Sequence, residues 1–242
     1  MADFGQRIRN GINEVQIDST FKNLALRMKG TAVASSPWFH VNYRQVIVSL
    51  PASSGMIAYR ANGPCCIYGM DTSGGTLKVA FLTYKPSSAT PDITVNWYLF
   101  DEPGLVPVAP DYGRRVRNSS GVVTYDSRLP YMKFNAFLVG TDKDLPSTSS
   151  GLSPNFTYWA YPGILPAIVQ GNLVNSQTEV PVGVGPNTPW MQFRFWQMMV
   201  QNGPMIGSTI CVEDYGPSST PSGWLDVRRQ KFSMSIVDVS DL

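Results

Sequence analysis

The octet Asp3-Phe4-Gly5-Gln6-Arg7-Ile8-Arg9-Asn10 returns 108 positions later as Asp111-Tyr112-Gly113-Arg114-Arg115-Val116-Arg117-Asn118. At the same offset, with no gap, Asp18-Ser19 returns as Asp126-Ser127. Exchange of Phe for Tyr and of Ile for Val keeps the side-chain character, so a physical pattern is repeated along with the letters. In each copy an aromatic and a Gly lead into a stretch where an apolar residue stands between arginines, the alternation of a strand with two unlike faces. A turn follows at Asn10-Gly11 and at Asn118-Ser119-Ser120-Gly121, residue types that take up tight-turn conformations at low cost. Val15-Gln16-Ile17 and Val123-Thr124-Tyr125 supply the returning strand. Each copy reads as a β-hairpin that opens a module, and a duplicated opening predicts two like units.

Period-two alternation continues in the rest of the chain. Leu77, Val79 and Phe81 face Lys78, Ala80 and Leu82; Ile93, Val95, Trp97 and Leu99 repeat the pattern, as do Met191, Phe193 and Phe195, and then Phe232, Met234 and Ile236. Turn clusters separate them, at Ala61-Asn62-Gly63-Pro64, Asp71 to Gly75, Pro86-Ser87-Ser88, Asn202-Gly203-Pro204 and Gly216-Pro217-Ser218-Ser219. Such spacing predicts antiparallel sheets. Leu24 to Lys29 and Trp196 to Val200 have some helical character but are too short to hold a helix alone. The expected fold is all-β: two tandem antiparallel β-sandwich-like modules, residues 1–102 and 111–242, each opened by the hairpin; the alternative is a single sheet system over the whole chain, with hairpins alike by accident. Residues 103–110, with Pro103, Pro107 and Pro110, form an extended connector between the two modules.

Composition narrows the function. Charged residues are 15 % of the chain, against about 25 % in an average globular protein. The net charge of +2 comes without any long run of like charges, which gives no case for a nucleic-acid partner. Arg114 to Arg117 is the best basic candidate and reads as a solvated strand face. No apolar run reaches the roughly 18 residues of a membrane helix, so membrane insertion is not expected. The start of the chain lacks the layout of a secretory signal, which points to assembly inside a cell. Three cysteines, with Cys65 and Cys66 adjacent, read as reduced, buried thiols.

Catalytic constellations are equally sparse. A single histidine, His40, alternates with apolar neighbours as a strand residue would. No phosphate-binding, dinucleotide-binding or esterase signature occurs. Asp101-Glu102, Asp142 with Asp144, and Glu213-Asp214 pair acids in sequence, yet a glycosidase needs carboxyl groups at a set separation across a cleft. Thr141-Asp142-Lys143-Asp144 lacks the Gly and distal Glu of a calcium loop. No catalytic residue, cofactor or metal ligand is assigned. Aromatic density singles out two stretches: Trp190 to Met199, which reads as core, and Phe156, Tyr158, Trp159 and Tyr161, which could meet a partner or receptor.

The paired hairpins, with aromatic-Gly, alternating residues, Asn, a Gly-containing turn and Asp-Ser, resemble the opening segments of small β-rich tail proteins of tailed bacteriophages. The resemblance covers roughly the first 30 residues, through Phe21-Lys22-Asn23-Leu24-Ala25-Leu26, and again residues 111–135. It implies a non-enzymatic structural protein of the virion, in the tail tip, baseplate or fibre region, assembled in the host bacterial cytoplasm. Its implied partners are other tail proteins, further copies of itself, and a bacterial surface receptor or glycan. The contrasting expectation is a carbohydrate- or receptor-binding β-sandwich that works through the aromatic loop. Low charge with 6 Trp, 11 Tyr, 11 Phe and 10 Met suits a protein with several contact surfaces.

Overall fold

A computed structural model of the chain describes residues 7–9, 15–18, 23–38, 42–85, 87–108, 112–145, 157–181, 190–218 and 227–242. Phe4, Asp111 and His40 lie outside the described residues. The first part of the chain forms β1 (Arg7–Arg9), β2 (Val15–Asp18), β3 (Ala25–Ala34), the short β4 (Ser36–Pro37), β5 (Tyr43–Pro51), β6 (Met56–Ala61), β7 (Cys65–Ser73), β8 (Thr76–Tyr84) and β9 (Ile93–Asp101). After a 3-10 turn at Pro103–Leu105 come β10 (Arg115–Arg117), β11 (Val123–Asp126), β12 (Lys133–Thr141) and a second such turn at Asp142–Asp144. Then follow β13 (Thr157–Ala160), β14 (Pro166–Gln170), β15 (Asn175–Pro181), β16 (Trp190–Asn202), β17 (Met205–Ser218), β18 (Val227–Arg229) and β19 (Lys231–Asp238). The protein is all-β, with antiparallel sheets. The two stretches of helical character join strands β3 and β16, and the Gly216-Pro217-Ser218 turn cluster instead continues β17.

Both sequence-read hairpins form, and they match pair for pair. Arg7 opposes Asp18, Ile8 opposes Ile17 and Arg9 opposes Val15 in the first. Arg115, Val116 and Arg117 oppose Asp126, Tyr125 and Val123 in the second. Each carries a register shift after its central residue, between Ile8 and Arg9 and between Val116 and Arg117. The correspondence runs on past the hairpin: β3 bulges against β9 between Leu26 and Met28, and β12 bulges against β19 between Phe134 and Ala136. At the offset of 108 these are the same positions.

The remaining strands make two sheets. One is ordered β3-β9-β6-β14-β19-β12, the other β5-β8-β7-β16-β17-β13, with β4 beside β5, β15 attached to β16, and β18 attached to β15. Take β3, β5, β6, β7, β8, β9 as one set and β12, β13, β14, β16, β17, β19 as the other. Each set then sends its first, sixth and third strands to one sheet and its second, fifth and fourth to the other. The duplication is therefore present in the topology as well as in the hairpins.

The two halves are joined through both sheets. β6 pairs with β14 through Tyr59 opposite Ile168 and Ala58 opposite Val169, and β7 meets β16 at Cys65 opposite Met199. One core lies between the sheets and draws on both halves: Tyr59, Phe81, Val95 and Leu99 pack with Ile168, Met199, Ile206, Met234 and Ile236. The connector is equally integrated. Pro103–Leu105 coils, and Val106 is buried against Ala25 and Leu129. Sheet closure explains this, because the inner edges of both units would otherwise leave backbone donors and acceptors unpaired.

Strands that read as alternating turn out to be covered on both faces. In β9, Val95, Trp97 and Leu99 face the shared core, while Tyr98 and Phe100 enter a second cluster with Ala58, Ala167 and Val237. In β8, Phe81 faces the shared core and Leu82 joins Tyr43, Cys66 and Met198 behind it. Cys65 and Cys66 are buried and free, and burial pushes the Cys66 thiol up to about 12.

Side-chain amides finish the pairing where the two halves part. β16 leaves β7 after the single Met199–Cys65 pair and runs beside β15 instead. Gln170 of the opposite sheet takes over: its Oε1 accepts the Ile67 N–H at 2.8 Å and its Nε2 donates to the Ile67 carbonyl at 2.6 Å. Gln201 Oε1 likewise accepts the Ala61 N–H at 2.5 Å, and Gln197 ties the Val174 N–H, at 2.9 Å, to Ser208. A buried backbone group left without such a partner costs about 1–3 kcal/mol. Gln170→Ala removes partners from two Ile67 groups at once, and we expect a loss of about 3 kcal/mol in urea unfolding followed by tryptophan fluorescence. A loss below about 0.5 kcal/mol would show that the amide bridge contributes nothing.

Candidate functional site

The second hairpin is organised around one carboxylate. Asp126 is fully buried at the end of β11. Arg115 Nε donates to its Oδ2 at 2.8 Å, and Arg128 donates from Nε to Oδ1 at 2.8 Å and from Nη2 to Oδ2 at 2.5 Å. Hydrogen bonds from Arg128, then from Arg115, hold the Asp126 carboxyl well below the usual carboxylate range, against the opposing effect of burial. The Tyr131 hydroxyl accepts the Asp126 N–H at 2.5 Å and donates to the Asp126 carbonyl at 3.1 Å, and its ring stacks on Tyr125 with centroids 5.0 Å apart. Burial pushes the Tyr131 hydroxyl up to about 12, so it remains a donor across the neutral range. At the turn, Asn118 Oδ1 accepts the N–H groups of Ser120 and Val122, and Gly121 takes φ +79°.

This hairpin is seated on the outer strand of the first unit. Val116, Val123 and Leu129 are buried. The Leu26 N–H donates to Pro130 O at 2.8 Å, the Met132 N–H donates to Leu24 O at 2.9 Å, and Ala25 bridges Tyr131. The basic cluster singled out in the sequence is therefore a structural hairpin. Its Arg115 serves Asp126, and Arg117 Nη1 caps the Gly121 carbonyl at 2.6 Å.

The aromatic candidates are split by strand alternation. Phe156 lies outside the described residues. Tyr158, Trp159 and Tyr161 sit on or beside β13, the last strand of the larger sheet. Trp159 and Tyr161 pack against the shared core, and the Trp159 ring lies 6.4 Å from that of Phe232 across the sheets. Tyr158 points the other way, half exposed, with its ring lying across Gly207, where a Cβ would come within 2.7 Å. The side chains of Trp190 to Trp196 lie outside the described residues, while Met198 and Met199 are fully buried.

Of the acidic pairs, Asp101 and Asp144 are engaged within the fold. Asp101 is buried and receives Arg27 Nη1 at 2.8 Å and Ser53 Oγ at 2.7 Å. Asp144 closes its own turn by accepting the Thr141 N–H at 2.7 Å and hydroxyl at 3.0 Å, which holds its carboxyl below the usual range. The side chains of Glu213 and Asp214 lie outside the described residues. Among the described residues, no three His, Cys, Asp or Glu side chains gather, and no helix is long and apolar enough to cross a membrane.

One surface feature escaped the sequence reading. Phe134, Phe137 and Val139 are exposed on β12, which ends the six-stranded sheet. Phe137 also borders a cleft of about 480 Å³ with Met56, Met70, Val169, Gln170 and Ser235. The only signal available was the strand period itself, which cannot say whether the apolar face of an outer strand looks inward. No family model, curated protein or solved structure matches the chain.

Two outcomes follow from this geometry. Trp159→Ala should lower unfolding stability by about 3 kcal/mol, while Tyr158→Ala should change it by less than about 1. Equal effects in thermal melts would contradict the assignment of inward and outward faces. Asp126 has a depressed folded-state pKa, so its contribution is complete above the unfolded value near 4 and is lost as pH falls towards the folded value. Melting temperature should therefore drop more steeply between about pH 4 and 2 in the wild type than in Asp126→Asn, which should already be about 2 kcal/mol weaker at neutral pH. Parallel pH profiles for the two proteins would remove Asp126 from this role.

Proposed function

We propose that the protein is a non-enzymatic structural subunit of a bacteriophage tail, from the tip, baseplate or fibre region, that works by holding neighbouring proteins in place. The observation that carries this reading is the duplicated hairpin, with one pairing register and one bulge position in both copies. That element is the part of the chain which resembles phage tail proteins. In its second copy Arg115 and Arg128 are engaged in holding Asp126. Two of the paired acids also serve the fold: Asp101 is tied to Arg27 and Ser53, and Asp144 closes a turn.

A mechanical role also fits the way the halves are joined. Two units that share both sheets and one core resist being pulled apart, because separation would expose the β6, β14, β7 and β16 edges together. Partners implied by this reading are other tail proteins, further copies of the chain and, at the outer end of a tail, a bacterial surface receptor or glycan. Mass spectrometry and antibody labelling of purified particles from the source phage provide the test. The protein should be present at fixed stoichiometry and labelled at the tail, and purified protein should leave a panel of bacterial surface polysaccharides uncut. Its absence from particles, or turnover abolished by Asp101→Asn, would reject the proposal.

A further inference from the structure

The two units differ at the outer strands that end the six-stranded sheet. β3 and β12 occupy equivalent places, follow equivalent hairpins and bulge at the same position of the repeat. Outward-facing Lys29 and Thr31 of β3 correspond, at the offset of 108, to Phe137 and Val139 of β12. All four are exposed, the last two at 67 % and 66 %. A lysine on a sheet edge is a common device for preventing another chain from pairing there. The first unit has this protection, and the second presents Phe in its place. The only charge on β12 is Lys133, at its first residue. One side of β12 pairs with β19, and among the described residues its other side is met only at its start, where the Met132 N–H reaches Leu24.

We propose that β12 is a self-docking edge: the β12 of a second copy lies antiparallel against it and joins two six-stranded sheets across a two-fold axis. Charge favours this occupant. Antiparallel self-pairing about Phe137, the middle of the strand, sends the two Lys133 residues to opposite ends, each opposite a Thr141, with only uncharged residues facing one another between them. The chain's own centre is a junction of the same kind, where β6 of one unit pairs antiparallel with β14 of its equivalent. Phe137 and Val139 of the two copies would meet on one face, continuous with Met56 and the cleft. The same patch used twice is the geometry of a closed dimer. The proposal deepens, and rests on, the reading of the protein as an assembling subunit.

Sedimentation velocity over a concentration series of the full chain tests it, alongside Phe137→Lys/Val139→Thr, which installs the residues that β3 carries at the matching positions. The wild type should be a dimer, and the double variant should raise the dissociation constant by roughly tenfold or more with an unchanged thermal melt. Phe137→Cys treated with a short bismaleimide should give a cross-linked dimer that neither the wild type nor Lys29→Cys gives. This readout holds even if the double variant folds poorly. A wild type that stays monomeric overturns the proposal, as does a dimer indifferent to the double variant or cross-linked through Lys29→Cys. If the protein is nevertheless found in particles, the tail assignment survives and only this surface is lost.

Discussion

The structure depends on satisfying the inner strand edges. Each unit supplies two inner strands, β6 and β7 or β14 and β16, whose facing edges would be bare if the unit stood alone, except along the part of β16 that β15 covers. Pairing these edges across the middle of the chain removes the problem for both units and merges their interiors into one core. Where the pairing geometry fails, at Ile67, a glutamine side chain from the opposite sheet supplies the missing donor and acceptor. In a low-dielectric interior an unmade bond costs more than a made one contributes, so such amides are placed where the strands diverge.

The hairpin repeats the same logic on a smaller scale. A three-residue strand paired with a four-residue one cannot hold itself together by burial. Asp126 compensates by collecting two arginines, one from the opposing strand and one from the chain just beyond. Tyr131 then bonds the Asp126 backbone and lies against Ala25, which fastens the hairpin to the first unit. Ion pairing, hydrogen bonding and apolar contact meet within a few residues. The connector from Pro103 to Val108 is drawn into this contact and does not act as a spacer.

Much of the fold was legible in the residues. The two hairpins, the strands at 77–82, 93–99 and 232–236, and the all-β class all follow from alternation and turn chemistry, which are local properties. Arg115 and Arg117 do lie on an exposed strand face, as alternation predicts, but the tie between Arg115 and Asp126 was not legible, because the burial of that carboxylate depends on how the hairpin is seated. Tyr158, Trp159 and Tyr161 stand together in sequence, yet strand period two turns Trp159 inward and Tyr158 outward. Gln170 gave no signal at all, because a polar residue after an apolar run reads as a strand end.

The sequence alone determined that the chain makes short antiparallel strands and that one hairpin occurs twice, since both properties arise from side-chain period and turn residues within a few positions. Tertiary structure decided whether the two units stand apart or share their sheets, and which outer strand is protected. Those outcomes depend on which edge finds a partner across more than a hundred residues, and an unpaired edge looks the same in sequence as a paired one. Lys29 and Phe137 show the difference: as letters they are unrelated, and only their equivalent places on β3 and β12 make their contrast meaningful.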